Sequence, residues 1–382
     1  MQYLDHAASS PLRPEAWEAM QPFRADSFGN PSGAHAVSRQ AKNALEDARD
    51  HIASLMGADP LDIVFTGGGT EADNLAVKGA AFAGGGRGGV VISPTEHDAV
   101  LESAAFAARL GCPLAFLDVD QAGRVDPAQV HSLVTDATSV VSVMMGNNET
   151  GVLQPIAEVV AAVRAAPGAT VVHTDAVQGF VSEDLRVDDL GVDLISLAGH
   201  KFGGPKGVGV LYVRSGTALE PLVHGGGQEL GRRSGTHNVM GVVGMAAAMK
   251  AVVDGRHTFR QTVGAERDAF ESTLTNLIPA VAVTIGAAPR MIQTSHVHIP
   301  GVLNETLLMR LDEAGVAASA ASACQSGAAT VSHVLEAMGM TPSEARQCVR
   351  FSFGWSTEPG VGKAVAGIVA TEVEALSGGF LV

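Results

Sequence analysis

The sequence predicts an α/β fold in which a mostly parallel sheet is followed by a smaller α+β domain. Short strand patterns alternate with alanine-rich helical patterns between residues 62 and 213. These strands are continuously apolar, which is typical of a sheet covered by helices on both faces. The pattern changes near residue 255, so we predict a large domain over residues 13–255 and a small domain formed by residues 1–12 and 256–382.

Each element is predicted from its own residues. Strands are expected where β-branched and other apolar residues cluster and a glycine or polar residue ends the run. The predicted strands are 62–66, 90–93, 114–119, 140–145, 170–174, 194–197, 209–213, 281–285, 291–299 and 349–353. The predicted helices are 71–82, 98–109, 156–165, 262–277, 304–314 and 361–377, and a helix-like apolar run covers 241–253.

Composition excludes several classes of protein. Of the 382 residues, 46% are hydrophobic, so the chain can form a core and is not intrinsically disordered. The net charge of −15 argues against broad binding to nucleic acid or to an anionic membrane. The N-terminus lacks the apolar segment of a signal peptide, and the three cysteines lack disulfide or metal-ligand spacing. We therefore expect a cytoplasmic protein.

A metal site is not expected either. His296 and His298 share one face of a predicted strand, but zinc needs three or four ligands. Cys112 and Cys348 are expected to pack in the core, as most free cysteines do.

The segment SLAGHKFGGPKG at 196–207 sets a His-Lys pair among glycines at the end of a predicted strand. A lysine held in such a tight loop can have a lowered pKa and form a Schiff base. Lys201 is therefore a candidate catalytic residue, although an ordinary solvated lysine remains an alternative.

Asp175 lies in HTDAVQ at 173–178, where another strand ends. An acid at the carboxyl end of a parallel strand points into the crevice where α/β folds bind ligands. It could pair with a protonated ring nitrogen, or it could cap a helix.

A third segment, TGGGTEADN at 66–74, runs from a strand into a helix. Its glycines allow close approach of a ligand, and Thr70 can cap a helix whose N-terminus suits a phosphate. The segment is neither a Walker A loop nor GxGxxG, so it indicates a single phosphate, or else a plain glycine turn.

Together, a Schiff-base lysine, an acid for a ring nitrogen and a phosphate cradle are what pyridoxal 5'-phosphate requires. His97, which follows another predicted strand, supplies an imidazole that can stack on the ring.

Motifs over nearly the whole chain occur in the same order as in one known family. They are YLDHAAS at 3–9, NPSGAH at 30–35, TGGGTEADN, EH at 96–97, NNETGVLQP at 147–155, HTDAVQ, GHKFGGPKGVGVLYVR at 199–214, GGGQELGRRSGTHN at 225–238, SACQSG at 322–327 and RFSFG at 350–354. The chain resembles the cysteine desulfurases of the class V aminotransferase family. The resemblance implies the aspartate aminotransferase-like fold of fold type I pyridoxal phosphate enzymes. Related lyases share several motifs, whereas SAC followed by RFSFG is more selective.

The resemblance implies contacts to the ring of the cofactor. Lys201 would carry pyridoxal 5'-phosphate as a Schiff base, and Asp175 would keep the ring nitrogen protonated. Gln178 would hydrogen-bond the phenolic oxygen. His97 would stack on the ring and help to move protons.

The resemblance also implies contacts to the phosphate and to the substrate. Gly69, Thr70 and His200 would hold the phosphate, and Thr236 would reach it from the partner subunit of a homodimer. Asn148 and Arg350 would bind the substrate carboxylate, for which the planar fork of arginine is suited.

Cys324 would be the nucleophile. It lies in a small-residue stretch at about 316–330, which we expect to be a mobile loop because it offers little packing.

Three positions depart from the family's pattern. Ala198 stands where a phosphate-binding serine is usual, His6 replaces a usual asparagine, and Gly69 replaces a common alanine. None of these changes removes a chemical step, and His6 has no role assigned from sequence.

The resemblance implies the removal of sulfur from L-cysteine, giving L-alanine and a persulfide on Cys324. A sulfur-acceptor protein, either an iron–sulfur scaffold or a thiolation enzyme, would then take the sulfur. The alternatives are a selenocysteine lyase, another pyridoxal phosphate lyase or aminotransferase of the same fold, and a scaffold or sulfur-carrier partner with a vestigial site.

Overall fold

The computed structural model describes residues 1–320 and 331–378. Its strands are β1 (Gln2–Tyr3), β2 (Ile63–Thr66), β3 (Gly89–Ile92), β4 (Leu114–Phe116), β5 (Thr138–Ser142), β6 (Val171–Asp175), β7 (Leu194–Ala198), β8 (Gly209–Val213), β9 (Ala282–Val283), β10 (Thr294–His298), β11 (Val316–Ala317) and β12 (Cys348–Ser352). Its helices are α1 (Pro14–Met20), α2 (Ala36–Met56), α3 (Gly69–Ala81), α4 (Asp98–Arg109), α5 (Val130–Leu133), α6 (Ile156–Ala165), α7 (Val187–Leu190), α8 (Val239–Leu277), α9 (Asn304–Glu313), α10 (His333–Ala337), α11 (Pro342–Ala345) and α12 (Val361–Ser377).

The large sheet confirms the predicted α/β class. Its strand order in the described residues is β2-β8-β7-β6-β5-β3-β4, and β8 runs in the direction opposite to the other strands there. The carboxyl ends of the neighbouring strands β6 and β7 therefore lie at the same edge of the sheet.

Helices cover both faces of this sheet, as its apolar strands predicted. On one face, α2, α6 and the first half of α8 pack through residues such as Leu45, Val159 and Met245. On the other face, α3 and α4 pack against β3, β5 and β8. The edge at the carboxyl ends of β6 and β7 therefore belongs to a sheet that is buried on both faces.

A second core contains the C-terminal elements. The antiparallel sheet β12-β10-β9 packs with α9, α12 and the second half of α8 around Phe270, Phe351 and Phe353. Leu4 belongs to the same core, and β1 pairs with β11. The N-terminus is therefore attached to the C-terminal part of the chain.

The prediction of a separate helix that begins at residue 262 is wrong, because α8 is one helix from Val239 to Leu277. Gly255, near the predicted domain boundary, lies inside it with open space around its α-carbon. A glycine costs a helix only about 1 kcal/mol relative to alanine, so packing on both sides can override it. The chain therefore passes between its two cores along a continuous helix.

Within residues 1–320 and 331–378, no helix combines the length and the apolar character needed to cross a bilayer.

Candidate active site

Three of the predicted residues meet at the carboxyl edge of the large sheet. Asp175 ends β6, Lys201 closes a 3₁₀ turn that follows β7, and His97 precedes α4 after β3. Burial raises the pKa of Asp175, and electrostatic interactions with His97 and Lys201 act against that rise, so the three side chains share one electrostatic environment. The topology thus brings together residues that are far apart in the sequence.

The Lys201 ammonium contacts the N-terminal segment. Its Nζ donates to the Ala7 carbonyl oxygen at 2.7 Å and to the Ala8 carbonyl oxygen at 3.1 Å. Sequence reasoning missed both acceptors, because a backbone carbonyl gives no signal in a residue pattern.

Asp175 is a buried acid. Its Oδ1 accepts from the Val177 amide at 2.8 Å, so the side chain both faces the site and fixes the turn after β6. Burial is the largest influence and raises the pKa of Asp175, against the lowering effect of nearby cations. A cationic ligand at this position would therefore stabilise the carboxylate.

Behind Asp175 lies a buried polar cluster that the sequence did not single out. His173 Nδ1 is 2.8 Å from Ser142 Oγ, and its Nε2 is 2.9 Å from Ser196 Oγ and 3.7 Å from Asp73 Oδ1. Burial lowers the pKa of His173 to about 3, so the imidazole is neutral at physiological pH. Asp73 therefore lacks a compensating charge from this histidine.

Burial also raises the pKa of Asp73 well above its usual range, and Asp175 adds to the effect. Glu96 behaves in the same way, although the Met144 amide donates to its Oε1 at 2.6 Å. The spacing of Asp73 with the buried Ala76 and Ala80 could have indicated a buried acid on α3.

A glycine-lined groove of about 860 Å³ lies beside this cluster. It is lined by Gly67, Gly68, Gly69 and Thr70 at the start of α3, and by Ser9 and His200 opposite. The prediction that Thr70 caps the helix is wrong, because Gly68 is the N-cap and Thr70 lies in the first turn. The first-turn amides have no partners within the helix, so they remain suited to an anion.

Two of the departures from the family pattern lie against each other. A Cβ on Gly69 would be 3.2 Å from the Ala198 Cβ and 3.0 Å from Val177 Cγ2. Glycine at position 69 therefore keeps this side of the groove clear without any shift of β7.

His200 stands at the opposite wall. Its Nδ1 is 3.3 Å from Ser9 Oγ. Burial, helped by Lys201 and Lys206, lowers the pKa of His200 to about 4. It is therefore a neutral hydrogen-bonding group at physiological pH.

His97 has one ring nitrogen already in use. Its Nδ1 accepts from the Ala99 amide at 3.0 Å and caps α4. In the neutral ring, the proton therefore sits on Nε2.

Gln178 Nε2 donates to the Ala7 carbonyl oxygen at 2.8 Å, the same atom that accepts from Lys201. This shared acceptor places the Gln178 amide beside the lysine.

Arg350 is almost fully buried and already holds two acceptors. Its NH1 donates to the Asn148 carbonyl oxygen at 2.6 Å, and its NH2 pairs with Asp5 at 2.7 Å. Its Nε and the Asn148 Oδ1 are buried without a hydrogen-bond partner among the described residues. These groups leave hydrogen-bonding capacity that a ligand could use.

Thr236, which was predicted to reach the phosphate of a partner subunit, is exposed. Its loop is anchored by Glu229, which accepts from both terminal nitrogens of Arg49, from the Phe65 amide and from His237 Nε2. Glu229 and Leu230 have φ values of 51° and 57°, a left-handed conformation that costs energy for residues other than glycine.

Cys324 lies outside the described residues, as does most of the predicted loop around it. The flanking residues are anchored beside the arginine: Ser319 and Arg350 exchange two backbone hydrogen bonds, at 3.2 and 2.8 Å. On the other flank, Ser332 Oγ donates to Glu149 Oε2 at 2.5 Å, next to Asn148. Both flanks of residues 321–330 are thus attached close to Arg350 and Asn148.

The other two cysteines are buried and free, as predicted. Burial raises the pKa of the Cys348 thiol to about 12 and raises that of Cys112 as well. Neither thiol is activated as a nucleophile. Within the part of the chain that the structure describes, no group of three or more His, Cys, Asp or Glu residues is arranged to hold a metal ion.

Comparison with known proteins matches the chain to the family that its sequence motifs resemble. The Aminotransferase class-V family matches residues 2–359. The cysteine desulfurase IscS of Dictyoglomus turgidum is 40% identical over 356 residues, which is 93% of this chain and 90% of the relative.

Solved structures agree with the sequence relatives. A NifS-like protein superposes with a TM-score of 0.90 at 33% identity and covers 99% of this chain and 100% of its own. The structure of SspA in complex with cysteine superposes with a TM-score of 0.80 at 34% identity, over 92% of this chain and 99% of its own. The chain therefore belongs to the class V aminotransferase family and, within it, to the cysteine desulfurases.

Proposed function

We propose that this protein removes sulfur from L-cysteine and leaves L-alanine and a persulfide on Cys324. The observation that carries the proposal is the meeting of Lys201, Asp175 and the start of α3 at one edge of the sheet. A reactive amine, a buried acid and a helix N-terminus that can bind an anion are the groups that one cofactor, pyridoxal 5'-phosphate, requires. The desulfurase relatives and the cysteine complex of SspA support cysteine as the substrate.

The residues present fit that cofactor. The groove can admit a phosphate at the start of α3, and Gly69 leaves open a space that a Cβ would crowd. Asp175 is a buried carboxyl group that a ring cation would stabilise. Pyridoxal phosphate bound there would supply an electron-withdrawing ring that makes the α-proton of an attached amino acid acidic.

The phosphate would be held by the Gly69 and Thr70 amides, the Thr70 hydroxyl and His200. Because His200 is neutral, it would contribute a hydrogen bond without a charge. Thr236 from a second subunit would add a hydroxyl, which requires a homodimer.

His97, Asp175 and Gln178 would hold the ring. Asp175 would hold a proton on the ring nitrogen, and Gln178 would turn its amide from the Ala7 carbonyl to the phenolic oxygen. His97 would present its Nε2 proton to the substrate side.

Arg350 and Asn148 would orient the substrate. A carboxylate would use the unpaired Arg350 Nε together with NH2, which now also pairs with Asp5. Lys201, as the neutral amine, would then take the α-proton at Nζ, and the Ala7 and Ala8 carbonyl oxygens would receive the ammonium that forms.

Cys324 would attack as a thiolate. Its sulfur forms a bond with the substrate sulfur while the carbon–sulfur bond of the substrate breaks. The carbon then takes up a proton and becomes the methyl group of alanine.

The sulfur would pass from Cys324 to an acceptor protein, such as an iron–sulfur scaffold or a thiolation enzyme. Transfer of the outer sulfur leaves Cys324 as a thiolate, and a reducing compartment such as the cytoplasm would keep that thiol from forming a disulfide.

Mass spectrometry after addition of L-cysteine tests this proposal. We expect Cys324 to gain the mass of one sulfur atom, and Cys324→Ser to release less alanine by about three orders of magnitude. Cys112→Ser is the matched control, since Cys112 is buried and should not change the rate. Alanine release by Cys324→Ser at the wild-type rate would contradict the persulfide.

A further inference from the structure

The N-terminal strap, residues 6–10, contacts Lys201 by both its side chain and its backbone. The carbonyl oxygens of Ala7 and Ala8 accept from Nζ. Ser10 Oγ donates to the Lys201 carbonyl oxygen at 3.0 Å, and the Ser10 amide donates to the His200 carbonyl oxygen at 2.9 Å. The strap therefore contacts the lysine from two directions.

The other side of the strap is attached to β12. The Ala7 amide donates to Ser352 Oγ at 2.9 Å, and the His6 amide donates to the Ser352 carbonyl oxygen at 3.2 Å. The strap thus connects the C-terminal core to the loop that carries Lys201.

His6 is the buried polar residue of the strap, with an exposed fraction of 4%, and its neighbour Ala7 is buried as well. Its ring fills a notch over Gly354, where any Cβ would collide with the imidazole. Its Nδ1 is 3.1 Å from Ser10 Oγ, and its Nε2 is 3.3 Å from Ser356 Oγ. Glycine at 354 is therefore what admits the imidazole.

The hydrogen bonds define the tautomer of His6. Ser10 has one hydroxyl hydrogen, and it is donated to the Lys201 carbonyl, so Ser10 Oγ must accept from His6 Nδ1. Burial, helped by Arg13, lowers the pKa of His6 to about 4. The neutral ring then carries its proton on Nδ1 and accepts from Ser356 at Nε2. A directed chain runs from Ser356 through His6 and Ser10 to Lys201.

We propose that His6 is a positioning residue for Lys201, acting through Ser10 and through the Ala7 and Ala8 carbonyls that receive the lysine ammonium. The inference rests on the proposed catalytic role of Lys201, and it gives a role to a residue that departs from the family pattern. Without the imidazole, Ser10 Oγ loses the hydrogen bond that His6 Nδ1 donates to it. The strap also loses the side chain that packs over Gly354. The carbonyl oxygens would then hold the ammonium less firmly.

The acylation rate of Lys201 measures how firmly the carbonyl oxygens hold its ammonium. The full-length protein, freed of bound pyridoxal phosphate with hydroxylamine, is treated with acetic anhydride at fixed pH. Peptide mass spectrometry then gives the initial acylation rate of Lys201 relative to that of Lys250, an exposed lysine on α8. We expect this ratio to rise about fivefold in His6→Ala and in Ser10→Ala, the effect of losing a hydrogen bond of ordinary net strength.

Two further variants separate positioning from general stability. His6→Asn should keep a ratio near the wild type, because its amide can donate to Ser10 from the place of Nδ1. His51→Ala is the matched control, since His51 is exposed on α2. If His6→Ala does not fold, Ser10→Ala carries the test, because it removes a single oxygen atom.

An unchanged acylation ratio in folded Ser10→Ala and His6→Ala would overturn the proposal, even if their melting temperatures fell. This ratio does not depend on turnover. Failure of the proposed function would show separately, as alanine release by Lys201→Ala at the wild-type rate.

Discussion

Two regions of the molecule bury carboxyl groups in opposite ways. Glu229, at the base of the Thr236 loop, accepts from Arg49, His237 and the Phe65 amide, and these partners lower its pKa to about 2. At the edge of the large sheet, burial raises the pKa values of Asp73 and Asp175, as it does for the neighbouring Glu96.

The difference follows from pairing rather than from burial. A buried carboxylate with a bidentate arginine recovers much of its desolvation cost, whereas one without a hydrogen-bonded cation is driven towards its neutral form. The Glu229 cluster can therefore hold a strained loop in place. The acids at the sheet edge would instead be stabilised in their charged form by a cationic ligand. Carboxyl groups with such shifted pKa values are typical of a binding site.

Asp175→Asn should give the largest effect. It keeps the shape of the side chain but removes the charge that would hold a proton on the ring nitrogen. We expect kcat/KM for alanine formation to fall by about 100-fold or more. The free energy of unfolding should not fall, because the variant removes a charge that burial disfavours.

Steady-state kinetics with pyridoxal phosphate, and urea unfolding of the protein freed of pyridoxal phosphate, check the two expectations. A stability loss comparable to that of a buried ion pair would contradict the contrast between the two regions, because it would mean that Asp175 is paired in the folded protein.

Glu229→Gln should show the opposite behaviour. Removal of one partner from a buried, bidentate pair costs about 3 kcal/mol of unfolding free energy at neutral pH. Because the folded pKa is depressed, this contribution is present above the unfolded pKa of about 4.3 and is lost as pH falls towards 2. Wild type and variant should therefore converge in acid.

Urea unfolding at several pH values measures that convergence. Glu46→Gln is a suitable control, since Glu46 also contacts Arg49 but is about half exposed. A constant difference between wild type and Glu229→Gln down to pH 2 would exclude the ionic explanation.

The sequence allowed much of the site edge to be predicted. Residues that end apolar strands, such as Asp175, are tied to the local pattern, so their position follows from the fold class. The large sheet was predicted for the same reason. The role of each residue in catalysis stays a prediction, and that of Cys324 falls on residues outside the described part.

Other features of the structure could not be predicted from the residue types. The contacts of Ala7 and Ala8 are made by backbone oxygens, which any residue type would supply. The continuity of α8 through Gly255 depends on two separate cores that pack against the same helix. Both features are decided by tertiary structure, which local propensity does not encode.

Asp73→Asn should have the smallest effect and tests the sheet-edge acids without touching the proposed contacts of the cofactor. Asp73 Oδ1 has no hydrogen-bond partner among the described residues, and burial raises its pKa. A raised pKa means that the folded state binds a proton more tightly than the unfolded state. Its contribution to stability is therefore complete below about pH 4 and declines as pH rises.

The side-chain amide that replaces the carboxyl group in this variant would have no such pH dependence. Asp73→Asn should thus match the wild type near pH 4 and exceed it at neutral pH by on the order of 1 kcal/mol, a typical cost of a poorly satisfied buried group. Glu96 and Asp175 also have raised pKa values, so the decline should weaken rather than vanish. If Asp73→Asn instead lost stability at neutral pH, Asp73 would have to be an ion-paired carboxylate like Glu229, and the distinction between the two regions would fail at its simplest case.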